Sequence, residues 1–153
     1  MLAAHMDSVG VIVTHIEQNG FLRFGAIGGL EAKALYQTMV RFQNGTVGVI
    51  AVEESKEEKE FKLTDLYIDI GARDREEAKT MVMVGDTAAF SGALSGNGNR
   101  VMGPYLDNRA GCAVLLETMQ QTQHPTNDLY YVFTTQEEVG MRGAKPAAWA
   151  VDP

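Results

Sequence analysis

The sequence predicts an α/β fold that carries an all-β insert, and a change of pattern along the chain supports this prediction. Residues 9–98 contain many short apolar runs separated by tight-turn signals, which is typical of a small barrel or sandwich. Residues 99–153 instead contain a long helical pattern and a continuous apolar strand, which is typical of a parallel α/β sheet. The apolar strand at residues 2–6 matches this second pattern. We therefore expect residues 1–8 and 99–153 to be parts of one α/β domain and residues 9–98 to be the insert.

Within the insert, two Asn-Gly pairs between apolar runs, at residues 19–20 and 44–45, predict tight hairpins. The strands expected here span residues 9–14, 20–24, 38–42, 46–52, 66–70, 81–84 and 87–90. One short helix is expected at residues 74–79, with Asp74 as its cap. The acidic run at residues 53–60 is expected to be a solvated loop or an edge that discourages strand pairing.

The remainder of the chain begins with a glycine-rich segment at residues 95–99, which is expected to be a flexible link. Apolar residues at helical spacing predict a helix at residues 110–121. The next strand, at residues 129–134, is expected to be buried on both faces. A last helix is expected over residues 147–150, with Pro146 in its first turn.

The composition limits the classes of function. The chain has 153 residues, a formal net charge of -7 and one cysteine, Cys112. An acidic chain is a poor candidate for binding nucleic acid or an anionic membrane, and no apolar run approaches the ~20 residues of a membrane span. A lone cysteine cannot form an internal disulfide, so we expect a cytoplasmic protein. Cys112 lies among apolar residues of the predicted helix, so we expect it to be a buried structural thiol.

Three short segments place histidine or acids at the ends of predicted strands or helices. In a strand, His5 and Asp7 point to one face, and an aspartate can hold the second nitrogen of a metal-bound imidazole; the alternative is an ordinary salt link. Asp107 precedes the long helix and is either a ligand or only the helix cap. The adjacent Glu137 and Glu138 follow a strand and either take separate chemical tasks or form a solvated pair.

Taken together, the three segments favour a catalytic metal site. Ligands bind outside the carboxyl ends of strands in open α/β sheets, and His5 and the two glutamates lie at two such ends. Histidine with carboxylates and without cysteine is the ligand set of catalytic rather than structural zinc. A carboxylate that bridges two metal ions would support the attack of water on a carbonyl group.

The motifs His5-x-Asp7, LDNRAG at residues 106–111, and QEEVG at 136–140 followed by RGA at 142–144 strongly resemble those of the glutamyl and deblocking aminopeptidase family of two-metal peptidases. Members of that family have often been labelled endoglucanases. The resemblance implies a metallo-aminopeptidase α/β domain, present here in part, with a PDZ-like or barrel dimerisation domain as the insert. It also implies a peptide substrate and self-association, with dodecamers expected for intact members.

The resemblance further implies a role for each candidate residue. His5 would bind one of two divalent metal ions, zinc or cobalt, and Asp7 would orient His5. Asp107 would bridge both ions, and the peptide bond that follows it is expected to be cis. Glu137 would be the general base, and Glu138 would bind the ion that His5 also holds.

Two departures from the family pattern qualify the expected activity. Ser8 stands where the family usually has glutamate. The family's two remaining metal ligands are expected beyond residue 153, and both ends of the sequence are apolar, so we expect part of a longer protein. With three of five ligands, the 153-residue chain is expected to bind metal weakly, to be inactive as a peptidase and to associate through exposed sheet edges.

Two other functions compete with the aminopeptidase. A carbohydrase such as an endoglucanase would also use paired carboxylates, but His5 and Asp107 have no obvious task in it. A β-rich oligomerisation or peptide-binding module built on residues 9–98 would take peptides by adding a strand to an exposed edge. Chelator-sensitive release of an amino-terminal residue separates the aminopeptidase from the carbohydrase.

Overall fold

The computed structural model describes residues 1–53 and 61–153. The acidic run expected to be a loop or edge therefore lies, apart from Glu53, outside the described residues. The chain divides into two compact units, one formed by Val9–Ser91 and the other by Met1–Ser8 with Gly92–Pro153. The first is a closed barrel and the second is an α/β unit, which confirms the predicted fold class.

The strands are β1 (Leu2–His5), β2 (Gly10–Ile16), β3 (Leu22–Ile27), β4 (Met39–Phe42), β5 (Val47–Val52), β6 (Leu66–Asp69), β7 (Thr87–Phe90), β8 (Ser95–Asn97), β9 (Arg100–Met102) and β10 (Tyr131–Thr134). The α-helices are α1 (Ala32–Leu35), α2 (Arg75–Met81), α3 (Leu106–Gln121) and α4 (Ala144–Val151). A single 3₁₀ turn at Leu63–Asp65 precedes β6.

The barrel closes in the strand order β2-β3-β6-β5-β4-β7, with β7 pairing back onto β2. All its strand pairs are antiparallel, and both predicted Asn-Gly hairpins are present, joining β2 to β3 and β4 to β5. Alternate side chains point inward, so fully buried residues such as Val11, Leu22 and Ile68 form its core. Asp74 caps α2 as predicted, because its carboxylate accepts a hydrogen bond from the Glu77 main chain.

Two predictions about local structure were wrong. Residues 81–84 do not form a strand, because α2 continues to Met81 and the Val82 N–H still donates to the carbonyl of Ala78. The segment at 95–99 is not a link without structure but the start of a hairpin, β8 to β9, that turns at Gly98 with φ +60°. A two-residue turn of this kind needs positive φ, which glycine adopts without cost.

In the α/β unit, β1 and β10 form a parallel pair in which Leu2 lies beside Tyr131 and His5 beside Thr134. Helix α3 packs on this pair through Cys112 and Leu115. The prediction that β10 is buried on both faces was wrong: Thr134 is buried, but the rest of the strand is half-buried. A two-stranded sheet with α3 and α4 beside it leaves parts of both faces uncovered.

Helix α4 begins earlier than predicted and has Pro146 as its third residue, within the first turn as expected. This position suits proline because the first N–H groups of a helix have no partner inside the helix. In the part of the chain that the structure describes, every helix is too short or too polar to cross a membrane.

Candidate metal centre

The parallel pairing of β1 and β10 brings the predicted site residues to one edge of the α/β unit. Parallel strands end at the same edge, and the Met6 N–H, just past β1, donates to the carbonyl of Thr134 at the end of β10 (2.8 Å). The segment that carries His5 and Asp7 therefore lies beside the segment that carries the two adjacent glutamates.

His5 is the centre of the cluster, and its side chain is buried. Its Nδ1 lies 3.0 Å from the main-chain oxygen of Asp7, which can only accept, so Nδ1 carries the proton and donates. Its Nε2 faces two acids, lying 3.0 Å from Oδ1 of Asp107 and 3.8 Å from Oε2 of Glu137. The Asp7 carboxylate is 3.6 Å from Nδ1.

Asp107 reaches His5 because it is not the helix cap. Asp107 and Asn108 have non-helical backbone angles, and the peptide bond between them is cis, as the resemblance implies. The cap is Asn108, whose Oδ1 accepts a hydrogen bond from the N–H of Gly111 at 3.0 Å. Asn108 thus gives an N–H group in the first turn of the regular helix a hydrogen-bond acceptor, while the carboxylate of Asp107 faces the imidazole.

Gly111 is required by the close approach of this cap and of β1. A Cβ atom at Gly111 would lie 2.0 Å from Oδ1 of Asn108 and 3.2 Å from Cβ of Ala4. Both distances are too short for any larger residue to fit without movement. The glycine therefore allows α3 to start directly against the strand that carries His5.

The loop after β10 is held by four hydrogen bonds between main-chain groups. The carbonyl of Glu137 accepts from Gly140 and Met141, the carbonyl of Gln136 accepts from Arg142, and the carbonyl of Thr135 accepts from Gly143. A Cβ atom at Gly143 would lie 2.2 Å from the Thr135 oxygen, so only glycine closes this loop without a clash. The QEEVG and RGA motifs therefore encode a closed loop that presents two acids.

The carboxylate of Asp7 is bound to the same loop. Its Oδ1 accepts from the N–H of Glu137 and its Oδ2 from the N–H of Glu138, both at 3.2 Å. All five residues predicted for the site are therefore close to one another. The ligand atoms of His5, Glu137 and Glu138 lie within 4.8 Å of one another.

Burial, hydrogen bonds and neighbouring charges together shift the pKa values of three residues in the cluster. Burial lowers the pKa of His5, but hydrogen bonds to the Asp7 carbonyl and the Asp107 carboxylate, with the charge of Glu137, raise it overall. Burial raises the pKa of Asp7, but the N–H groups of Glu137 and Glu138 hold it below its usual value. Burial raises the pKa of Glu138, and the neighbouring carboxylates reinforce this against the opposing effect of His5.

These residues fit a bound cation. With the proton on Nδ1, the Nε2 atom of neutral His5 is an acceptor, and so is the Asp107 oxygen 3.0 Å away. Two acceptors at this distance repel each other unless a proton or a cation compensates them. One imidazole with several carboxylates is a donor set that zinc and similar divalent ions accept. His5, Asp107 and Glu137 line an open cavity of about 360 Å³.

Sequence reasoning missed three residues that support the site. Asn108 provides the cap, and the signal for it was an asparagine three residues before Gly111 at a helix start. Arg109 donates from Nε to the carbonyl of Met6 (3.0 Å). The thiol of Cys112, buried as predicted, donates to the carbonyl of His5 (3.2 Å), and no sequence signal indicated that contact.

Comparison with known proteins gives one consistent result. The model of the M42 glutamyl aminopeptidase family matches residues 1–153. A putative aminopeptidase of Acetivibrio thermocellus is 49% identical over 154 residues, covering 100% of this chain and 47% of that protein. The lysyl aminopeptidase of Pyrococcus furiosus is 34% identical over 165 residues, covering 100% of this chain and 48% of that protein. The chain thus spans about half the length of the curated relatives it matches.

Solved structures agree with this result. An aminopeptidase of Desulfurococcus kamchatkensis has a TM-score of 0.87 at 38% identity, covering 99% of this chain and 44% of that one. A Thermotoga maritima protein described as an endoglucanase has a TM-score of 0.80 at 32% identity, covering 99% and 45%. The Pyrococcus horikoshii TET1 peptidase, which can assemble into a tetrahedron or a large octahedral shell, has a TM-score of 0.79 at 35% identity, covering 95% and 48%.

Proposed function

This chain belongs to the M42 glutamyl aminopeptidase family, and we propose on that premise that it forms part of a two-metal aminopeptidase, which removes the amino-terminal residue of peptides. The convergence of His5, Glu137 and Glu138 carries the proposal, because their ligand atoms lie within 4.8 Å of one another at the end of two parallel strands. Asp107 adds a fourth donor next to His5.

In this proposal, His5 and Glu138 would hold one divalent ion, and the carboxylate of Asp107 would contribute to binding both ions. Bound divalent ions would supply an activated water and stabilise the negative charge that develops on the carbonyl oxygen of the substrate. The Nδ1–H of His5, held by the Asp7 carbonyl, keeps the lone pair of Nε2 directed at the acids.

Glu137 is proposed as the general base. Its carboxylate is partly exposed and lies 3.8 Å from Nε2 of His5, so it borders both the cluster and the open cavity. From there it would accept the proton of the attacking water and return it to the amine that leaves. Glu137 would carry the proton, while Glu138 would bind metal.

The test is the Glu137→Gln variant of the full-length gene product, because the chain spans about half the length of the relatives it matches. We expect kcat on aminoacyl-coumarin amides to fall by about 10²–10⁴-fold, with the bound metal content unchanged. Glu117→Gln, an exposed acid on α3, is the matched control and should retain full activity. Activity that survives both Glu137→Gln and exhaustive chelation would contradict the proposal.

An endoglucanase is not favoured, although one similar structure carries that description. Two glycosidase carboxyl groups need no buried imidazole between them, whereas here His5 lies between Asp107 and Glu137. Chelator-resistant hydrolysis of soluble cello-oligosaccharides by the full-length protein would reverse this preference.

Self-association is proposed as well, and it would account for the barrel unit. The TET1 peptidase that resembles this chain assembles into closed shells, and Met39 and Val49 form an exposed apolar cross-strand pair on the barrel. We expect a homo-oligomer, with a dodecamer as the specific expectation, measured by light scattering of the full-length protein. Deletion of Val9–Ser91 should break the assembly, whereas an unchanged mass would contradict this role.

The cytoplasmic location stays a prediction.

A further inference from the structure

Asp7 uses its two hydrogen-bonding groups on different partners. Its main-chain oxygen accepts from Nδ1 of His5 at 3.0 Å. Its carboxylate accepts from the main-chain N–H groups of Glu137 and Glu138 at 3.2 Å each. The carboxylate is 3.6 Å from Nδ1, beyond hydrogen-bond distance, so the imidazole is held by the backbone of Asp7 and not by its side chain.

We propose that Asp7 is a positioning residue whose carboxylate fixes the main chain of Glu137 and Glu138, while its carbonyl fixes the imidazole of His5. The catalytic meaning of this inference rests on the proposed function. It assigns to the side chain a task that differs from orienting His5, which is what the family resemblance implies for it. One residue would then set the distance between the imidazole and both acids.

The loop geometry explains why such an anchor is needed. The four main-chain hydrogen bonds of the loop use the carbonyls of Thr135, Gln136 and Glu137, and they leave the N–H groups of Glu137 and Glu138 for another acceptor. Gln136 has a positive φ of 59°, and successive N–H groups beside such a residue converge into a concavity that binds an anion. The carboxylate of Asp7 occupies that concavity.

The anchor also holds the part of the main chain from which both acids reach the imidazole. The ligand atoms of Glu137, Glu138 and His5 lie within 4.8 Å of one another. The carboxylate of Glu137 reaches within 3.8 Å of Nε2 of His5. Without the anchor, the loop keeps its closing hydrogen bonds, but the direction of the two glutamates is no longer fixed. Side-chain substitutions at Asp7 therefore act on the position of the acids and leave the hydrogen bond between the Asp7 carbonyl and the imidazole in place.

The experiment compares Asp7→Ala and Asp7→Asn with the unmodified 153-residue chain, each labelled with ¹⁵N and kept free of metal. We expect the amide protons of Glu137 and Glu138 to exchange about tenfold faster or more in Asp7→Ala. In Asp7→Asn, one of the two should stay protected, because the amide oxygen of asparagine still accepts one hydrogen bond. The ¹⁵N shifts of the His5 ring should keep the pattern of an Nδ1–H tautomer in both variants.

Asp128→Asn, a change at an exposed acid of the same unit, is the control and should leave all of these signals unchanged. The proposal is overturned if the Glu137 and Glu138 amides exchange at the unmodified rate in Asp7→Ala, or if the His5 ring signals move while the amides do not. Should Asp7→Ala fail to fold, Asp7→Asn decides by the same criterion. The measurement needs neither metal nor substrate, so a negative result would not contradict the proposed peptidase activity. Conversely, a protein without peptidase activity could still show the predicted change in amide exchange.

Discussion

At the scale of single residues, the site depends on how one buried imidazole meets four carboxylates. Burial lowers the pKa of His5, but the hydrogen bonds and charges around it outweigh this effect and raise the pKa. At Glu138, burial itself raises the pKa, and the neighbouring acids raise it further. Such a cluster is costly to assemble without a positive charge, and a divalent cation offsets that cost most directly.

Glu138→Gln should weaken the binding of Co²⁺ to the full-length protein by about tenfold or more, because a neutral amide is a poor ligand and removes one charge from the site. The visible absorption of Co²⁺ during a titration measures this affinity. Glu117→Gln removes one acid from the exposed side of α3 and should leave the affinity unchanged. Equal affinities for both variants would exclude Glu138 as a ligand.

At the scale of elements, the start of α3 determines the geometry of the site. Asn108 caps the helix, Asp107 faces His5, and Gly111 leaves space for the cap and for β1. The helix is otherwise only weakly anchored, with Cys112 and Leu115 as its buried residues. The position of Asp107 therefore depends on the integrity of the first turn.

Gly111→Ala should destabilise the α/β unit by about 2–4 kcal/mol, since it combines the loss of a cap with overpacking against Ala4. Amide exchange in Leu106–Gln121 measures the change. The matched control is Gly96→Ala in β8, where an added Cβ meets nothing within 4 Å and the effect should stay within about 0.5 kcal/mol. Similar exchange rates in the two variants would show that the cap does not stabilise the unit.

At the scale of the whole molecule, the two compact units have cores of very different size. Among the described residues, the barrel core contains sixteen buried apolar residues, whereas the α/β cluster contains three, Ala4, Cys112 and Leu115. Apolar burial is the main source of stability. We therefore attribute most of the folding free energy of the described chain to the barrel unit.

Leu22→Ala should lower the stability of the barrel by about 2–5 kcal/mol, because it leaves a cavity beside Ile68, its partner across β3 and β6. Hydrogen exchange of peptides from Val9–Ser91 measures this loss. Met83→Ala, a truncation of an exposed apolar side chain in the same unit, should change the stability by no more than about 0.5 kcal/mol. A smaller effect at Leu22 than at Met83 would contradict the assigned core.

The sequence by itself determined the class of the fold, the hairpins, the cap of α2 and the five residues that meet at the site. These depend on local signals: alternation of apolar residues, Asn-Gly pairs, capping residues and short motifs. The sequence did not determine the end of α2, where the N–H of Val82 donates to the carbonyl of Ala78. It did not determine the hairpin either, because the pairing of β8 with β9 decided between a link and two strands.

Only the tertiary structure decided which atoms of the site residues touch. It showed that Asn108 rather than Asp107 caps α3, and that Asp7 holds His5 by its backbone and the two glutamates by its side chain. Asp7 lies 130 and 131 positions from Glu137 and Glu138, and they meet because β1 and β10 pair in parallel and end at one edge. The motifs identify which side chains are present, but the register of that strand pair sets the distances between the imidazole and the carboxylates, on which metal binding depends.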